Sequence, residues 1–209
     1  VEPLESLGLM WEFGCMLFDP SSTFESLETN VGFLRRIVDD GSVAAVFCKM
    51  LPYDGTPIKE TLMAQGRFNG DVCNPDYDFL DPRIARCYEA IGRTVGEWVR
   101  GSDCVAAMIN HAWHEVFVME RLFEPGADLV AYKTALSTVT KFSNNILFSV
   151  VEEICDGFRE GGGECQQYSG LGQIREQILA TLVQQRNRFV YENQSWLLKG
   201  ISKQTLVTA

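Results

Sequence analysis

Residues 11–58 read WEFGCMLFDPSSTFESLETNVGFLRRIVDDGSVAAVFCKMLPYDGTPI, and the order of patterns within them decides the fold class. Residues 11–18 are a nearly all-apolar run ended by Asp19, Pro20 and two serines, which is how a strand buried on both faces stops in a loop. Ser22 with Glu25 three residues on has the capping-box pattern. Phe24, Leu27, Val31, Leu34 and Val38 then recur at helical spacing as far as Asp39-Asp40-Gly41. Residues 43–50, VAAVFCKM, form a second apolar, β-branched run broken by Pro52, Asp54 and Gly55. Thr56 with Pro57 at the first helical position opens a short helix to about Gln65, which Gly66 closes. Strand, helix, strand, helix with buried strands predicts a right-handed crossover and a parallel sheet.

Downstream the period changes. After a loop containing Gly70, Asn74, Pro75 and Asp76, Asp81-Pro82 starts a helix with the stripe Ile84, Cys87, Tyr88, Ile91, Val95 and Trp98. A second stripe, Val105, Ile109, Ala112, Val116 and Phe123, stops at Pro125-Gly126. A third, Tyr132, Leu136, Val139, Ile146, Val150, Ile154 and Phe158, stops at Gly161-Gly162-Gly163, and a last one runs Ile174, Ile178, Leu182, Phe189 and Trp196. Long helices with one apolar face each pack on one another as a bundle or lie across a sheet. The fold class is therefore α/β followed by all-α, with residues 1–80 as the α/β part and 81–209 as a helical domain. Residues 1–104 carry 17 acids and 9 bases (−8), and residues 105–209 carry 11 and 9 (−2), so the acidity belongs to the first part.

Composition narrows the function classes. The chain is 46% hydrophobic and 22% charged, which is globular rather than disordered. Its net charge of −10 argues against a phosphate-tracking nucleic-acid surface or a polybasic membrane patch. No apolar run is long enough for a membrane span and no signal-peptide pattern opens the sequence, so a cytoplasmic location is expected. Seven scattered cysteines without a C-x-x-C pair fit free thiols in a reducing compartment. Two parallel strands with open edges are not a stable sheet. With only helices following the second, the missing strands are expected upstream of Val1, and the upstream part of the same polypeptide is the expected partner.

Chemistry is expected at the two strand ends, Gly14 to Thr23 and Lys49 to Ile58, because ligands of parallel α/β folds bind at the carboxyl ends of strands. Gly14 lets backbone approach a ligand closely. Asp-Pro and Tyr-Asp-Gly-Thr-Pro are also good turn and cap sequences on physics alone.

At these residues the chain resembles radical S-adenosylmethionine enzymes, particularly the group that often carries an N-terminal cobalamin-binding domain. The carriers are Gly14-x-Met16-Leu17-Phe18-Asp19-Pro20-x-Ser22-Thr23, the helix with Asn30-x-x-Phe33-Leu34, the strand running into Leu51-Pro52-Tyr53-x-Gly55-Thr56-Pro57-Ile58, and Tyr77-Asp78-Phe79 before a helix. The resemblance covers about residues 1–100. It implies the closing βαβα of a partial (β/α) barrel, and reductive cleavage of S-adenosylmethionine at a 4Fe-4S cluster to give a radical that abstracts hydrogen from a small-molecule or peptide substrate. It also makes cobalamin a possible second cofactor. By position it puts Gly14, Met16 and Phe18 on the cofactor side, flanking the adenine, and Asp19, Lys49 and Tyr53 at strand ends where substrate is met. The family holds its cluster with Cys-x-x-x-Cys-x-x-Cys, and these 209 residues contain no such triplet, so they are not active alone and the enzyme is expected to be a longer parent.

Other candidates weigh less. Cys15, Cys48 and Cys87 fall on apolar runs and read as small buried hydrophobes, while Cys104, Cys155 and Cys165 are too dispersed for a metal site. His111 and His114 share a helix face near Glu115, Glu120, Glu152 and Glu153. No zinc or di-iron spacing accompanies them, so no metal is expected. A reading from a different class is a stand-alone helical interaction module whose βα segment docks on a partner.

Overall fold

The computed structural model describes residues 7, 11, 13–126, 129–161 and 168–207, with side chains to residue 203. Chain order is β1 (Met16–Phe18), α1 (Phe24–Ile37), β2 (Cys48–Lys49), α2 (Pro57–Ala64), β3 (Phe68–Gly70), β4 (Pro75–Tyr77), α3 (Pro82–Val99), α4 (Val105–Leu122), α5 (Leu129–Arg159), α6 (Leu171–Glu192) and α7 (Gln194–Val207). The expected parallel pairing is present in short form. β1 and β2 pair in parallel, Met16 opposite Cys48 and Phe18 opposite Lys49, with α1 between them in sequence. The described residues are mostly helical, as the patterning after residue 81 requires.

Four sequence expectations need correction. The strand expected over 11–18 is confined to Met16–Phe18, and the one over 43–50 to Cys48–Lys49. Val43, Ala44 and Ala45 are buried, but among the described residues no strand pairs with them. Instead the Asn110 and Asn144 side-chain carbonyls accept from the Ala44 and Ala45 amides at 3.0 and 2.8 Å, and Asn144 Nδ2 donates to the Val43 carbonyl at 3.1 Å. Side chains from α4 and α5 thus replace a ladder, meeting the need of buried backbone for partners. The capping box lies one residue later than read. Thr23 is the N-cap, Ser26 N donates to Thr23 Oγ1 at 3.2 Å and Thr23 N to Ser26 Oγ at 2.9 Å, while Ser22 Oγ accepts from Asp19 N at 2.8 Å. The loop after Gly66 contains an antiparallel hairpin, β3 with β4, in which Phe68 faces Tyr77 and Gly70 faces Pro75. Finally, the last stripe is divided between α6 and α7 at Asn193. Gly162, Gly163 and Cys165 lie outside the described residues.

The 31-residue α5 is the axis of the helical part, with α1, α3, α4 and α6 packed against it. Its middle turn is polar yet buried: Thr140, Ser143 and Asn144 are each at most 4% exposed. Every one has a task. Ser143 Oγ accepts from Trp98 Nε1 of α3 at 2.9 Å, Thr140 Oγ1 accepts from Trp113 Nε1 of α4 at 3.2 Å, and Asn144 holds the 43–45 backbone. Buried polar groups must be bonded, and here each bond ties a different element to α5. Around this belt the core runs continuously from Leu17 and Phe18 through α1, α3 and α4 to Phe189 of α6. Among the described residues no helix is long and apolar enough to cross a membrane.

Two predictions arise from this packing. Gly41 has φ +73°, and a Cβ there would sit 2.6 Å from the Ser137 carbonyl oxygen, which is backbone of α5 and does not yield as a flexible side chain does. Gly41→Ala should cost about 2 kcal/mol or more in urea denaturation. Gly55, at φ +76° with nothing within 4 Å, should cost only about 1 kcal/mol as alanine, which isolates the close approach from the backbone conformation. The second concerns Tyr132, whose ring stacks on Phe189 at 4.6 Å and whose buried hydroxyl has no hydrogen-bond partner among the described residues. Burial, and next the Glu115 carboxylate, push its phenol up to about 12 from 10.0. A raised phenol contributes stability that is full below the unfolded value and lost as pH rises through the folded one. Tyr132→Phe should be neutral or stabilising by up to about 1 kcal/mol at pH 7. It should also flatten the loss of stability between about pH 10 and 12, read from melts across that range.

Candidate functional site

Three segments far apart in sequence meet at the carboxyl ends of the parallel pair. The Cys48 amide donates to the Cys15 carbonyl and the Met50 amide to the Phe18 carbonyl, both at 2.8 Å, so β1 and β2 end side by side. The third segment arrives with the hairpin. Tyr77 is 2% exposed and its hydroxyl donates to the same Phe18 carbonyl at 3.3 Å. Phe79 lies edge-on to Phe18 at 6.2 Å and to Tyr77 at 5.3 Å, and Tyr88 of α3 lies edge-on to Phe18 at 5.1 Å. Arg67 fastens the hairpin to the end of β1 by donating to the Pro20 carbonyl at 2.9 Å and the Asp78 carbonyl at 2.7 Å.

The individual candidates occupy different environments. Gly14 is exposed, and a Cβ there would meet nothing within 4 Å. Met16 is 60% exposed beside exposed Cys48, whereas Phe18 is fully buried in the aromatic cluster. Asp19 turns its carboxylate on its own loop, accepting from the Ser21 amide and hydroxyl at 2.7 Å each. Tyr53 is 61% exposed at the turn before α2, its carbonyl taken by Thr56. The described side of this region is therefore half core and half open surface.

Lys49 is the most constrained of the six. Its ammonium sits 4.2 Å from the Tyr77 ring centroid, 4.8 Å from Phe79 and 5.5 Å from Tyr88. It also pairs with the Asp76 carboxylate and donates to the Tyr77 carbonyl at 3.1 Å, with the side chain 11% exposed. Cation–π attraction from three faces and a carboxylate together satisfy an ammonium that water barely reaches. Burial, and after it the Asp19 and Asp76 carboxylates, push the Tyr77 phenol well above its ordinary value, so that ring stays neutral beside the ammonium. Lys49 thereby latches the hairpin onto the end of β2. Lys49→Met, which keeps the stem and removes the charge, should cost about 1–3 kcal/mol in urea denaturation and loosen amide-exchange protection of β3 and β4 first.

The two histidines stand apart from the strand-end region. His111 and His114 are exposed, and His114 Nδ1 lies 2.9 Å from the Asn110 carbonyl. Two of the three carboxylates considered for a shell are engaged elsewhere, Glu120 with Lys133 and Glu152 with Arg35, and Glu115 beside His114 pairs with Arg186. Among the described residues no three His, Cys, Asp or Glu side chains are placed to hold an ion. Among the described residues the cysteines form no group of three, and Cys104 serves as the N-cap of α4, its sulfur accepting from the Ala107 amide at 3.3 Å. Among the described residues no three thiolates gather to hold a 4Fe-4S cluster, so these residues do not fit one.

A separate concavity lies elsewhere. An open groove of about 970 Å³ runs between α4, α5 and the Asp40–Ser42 turn, with Trp113, Phe117, Lys133 and Lys141 on its walls. None of the six strand-end candidates lines it. Sequence reasoning gave this groove no role, although Trp113, Phe117 and Leu129 lie at helical spacings an αα-hairpin brings face to face.

No family model, curated protein or solved structure matches the chain.

Proposed function

We propose that this chain supplies the closing βαβα of a radical S-adenosylmethionine enzyme's partial barrel, in residues 1–80, and a helical covering domain in residues 81–209. The supporting observation is the convergence of the family-like segments: the ends of β1 and β2 and the Tyr77–Phe79 stretch meet in one aromatic cluster. Each strand of the parallel pair has a single strand neighbour among the described residues, leaving outer edges for further strands. On this reading Gly14 and Met16 face the adenine and Phe18 supports them from the core. Tyr53 and Asp19 stand at the substrate side, and Lys49 positions the hairpin beside them. The cluster thiolates come from outside these residues, and cobalamin, where the parent uses it, is likewise held elsewhere. Substrate is a small molecule or peptide, and the compartment is the reducing cytoplasm.

The test begins with the coding sequence upstream of the Val1 codon. An in-frame Cys-x-x-x-Cys-x-x-Cys segment is expected, and the anaerobically purified, cluster-loaded product should convert S-adenosylmethionine to 5′-deoxyadenosine. A frame bounded near Val1, or a loaded protein that leaves S-adenosylmethionine intact, overturns the proposal. The continuous core linking α1, α3, α4, α5 and α6 favours the helical interaction module as the second reading in that event.

A further inference from the structure

We propose that Cys87 and Cys155 are a redox-convertible cross-link between α3 and α5, a modification site independent of the reading above. Their sulfurs lie 3.6 Å apart in the core, with Cys87 0% and Cys155 6% exposed. The two residues are 68 positions apart in sequence, so the contact is made by folding and not by local geometry. The helices that carry them, α3 and α5, pack directly on each other. Filling a core requires only small apolar side chains at these two stripe positions. Two thiols in mutual contact add something apolar residues lack, a bond waiting for an oxidant.

Access comes from the end of the helix. Cys155 is one turn from Arg159, the last residue of α5, and helix ends open more readily than helix middles. Hydrogen peroxide reaching the frayed turn converts the Cys155 thiol to a sulfenic acid and releases one water. When the turn closes, the Cys87 sulfur attacks the Cys155 sulfur, the S–O bond breaks, and the hydroxyl leaves with the Cys87 proton as a second water. In sum, two thiols and one peroxide give one disulfide and two waters. The two sulfurs supply the two electrons, and a dithiol reductant reverses the step by exchange. The bond closes a long loop and so restricts the unfolded chain, which makes the oxidised form the more stable one.

The experiment treats the full chain with hydrogen peroxide, unfolds it in guanidinium with an alkylating agent and maps tryptic peptides without reduction. Expected is a cross-linked pair containing Cys87 and Cys155, lost in Cys87→Ser and in Cys155→Ser, together with a melting temperature roughly 5–10 °C higher that dithiothreitol returns to its starting value. Exposed Cys48 and Cys73 serve as internal controls for oxidation at the surface. Recovery of Cys87 and Cys155 as alkylated thiols while Cys48 and Cys73 are oxidised overturns the proposal. So does a disulfide that joins either residue to a different cysteine. Should both serine variants fold poorly, the peptide map of the unsubstituted chain still decides.

Discussion

Asn144→Leu is expected to lower the unfolding free energy by about 3–4 kcal/mol in urea denaturation, although it replaces a polar residue in the core with an apolar one of similar size. Asn144 is 4% exposed, and its amide performs two bonds at once, accepting from Ala45 N at 2.8 Å and donating to the Val43 carbonyl at 3.1 Å. Leucine leaves a buried donor and a buried acceptor unpaired, each of which carries a desolvation cost of about 1–3 kcal/mol. The gain from burying leucine's methyl groups offsets part of this, at about 0.8 kcal/mol per methylene-sized group. Asn110 gives the comparison. It contributes one bond, to Ala44 N at 3.0 Å, from a part-buried position that water can reach, so Asn110→Ala should cost only about 1 kcal/mol. An unchanged midpoint for Asn144→Leu would mean that solvent enters the 43–45 segment.

The same belt explains what could and could not be read from sequence. The stripes of α1 and α3 were legible because every buried position on them but Ala90 is a large apolar residue at helical spacing or a cysteine that behaves as one. In α5 the apolar stripe includes Val139 and Ile146, which are only partly buried, and omits Thr140, Ser143 and Asn144, which face the centre. Periodicity marks apolar faces. It does not register a polar residue whose partner is an indole two helices away or a backbone about 100 positions upstream. The strand expected over 43–50 overextends for the complementary reason: its residues have the apolar pattern, and only the tertiary fold reveals that Asn110 and Asn144, not a strand, satisfy the Ala44 and Ala45 amides. The hairpin carries a weaker signal: Asp71 to Asn74 form its four-residue loop, and Gly70, the last residue of β3 opposite Pro75, takes φ +80°. Of the strand-end candidates, the sequence placed all six near the ends of β1 and β2. It had no means to tell Phe18, enclosed by rings, from Met16, open to solvent.

That difference supports the second large prediction. Phe18→Ala should cost about 3–5 kcal/mol in urea denaturation, because Phe18 is 0% exposed and touches the rings of Phe79 and Tyr88 that also enclose Lys49. Its removal leaves a cavity against Phe79, Tyr88 and the latch they form, and unfolding of the hairpin should become easier along with the global transition. Met16→Ala, two residues away on the same strand and 60% exposed, should cost under about 0.5 kcal/mol. The pair separates structural from functional weight on one strand. On the proposed function, Met16→Ala in a cluster-loaded parent should weaken S-adenosylmethionine binding with the melting temperature unchanged, whereas Phe18→Ala should lose binding and stability together. Equal binding by the Met16→Ala and unsubstituted proteins would remove Met16 from the cofactor side and leave the strand end a packing element.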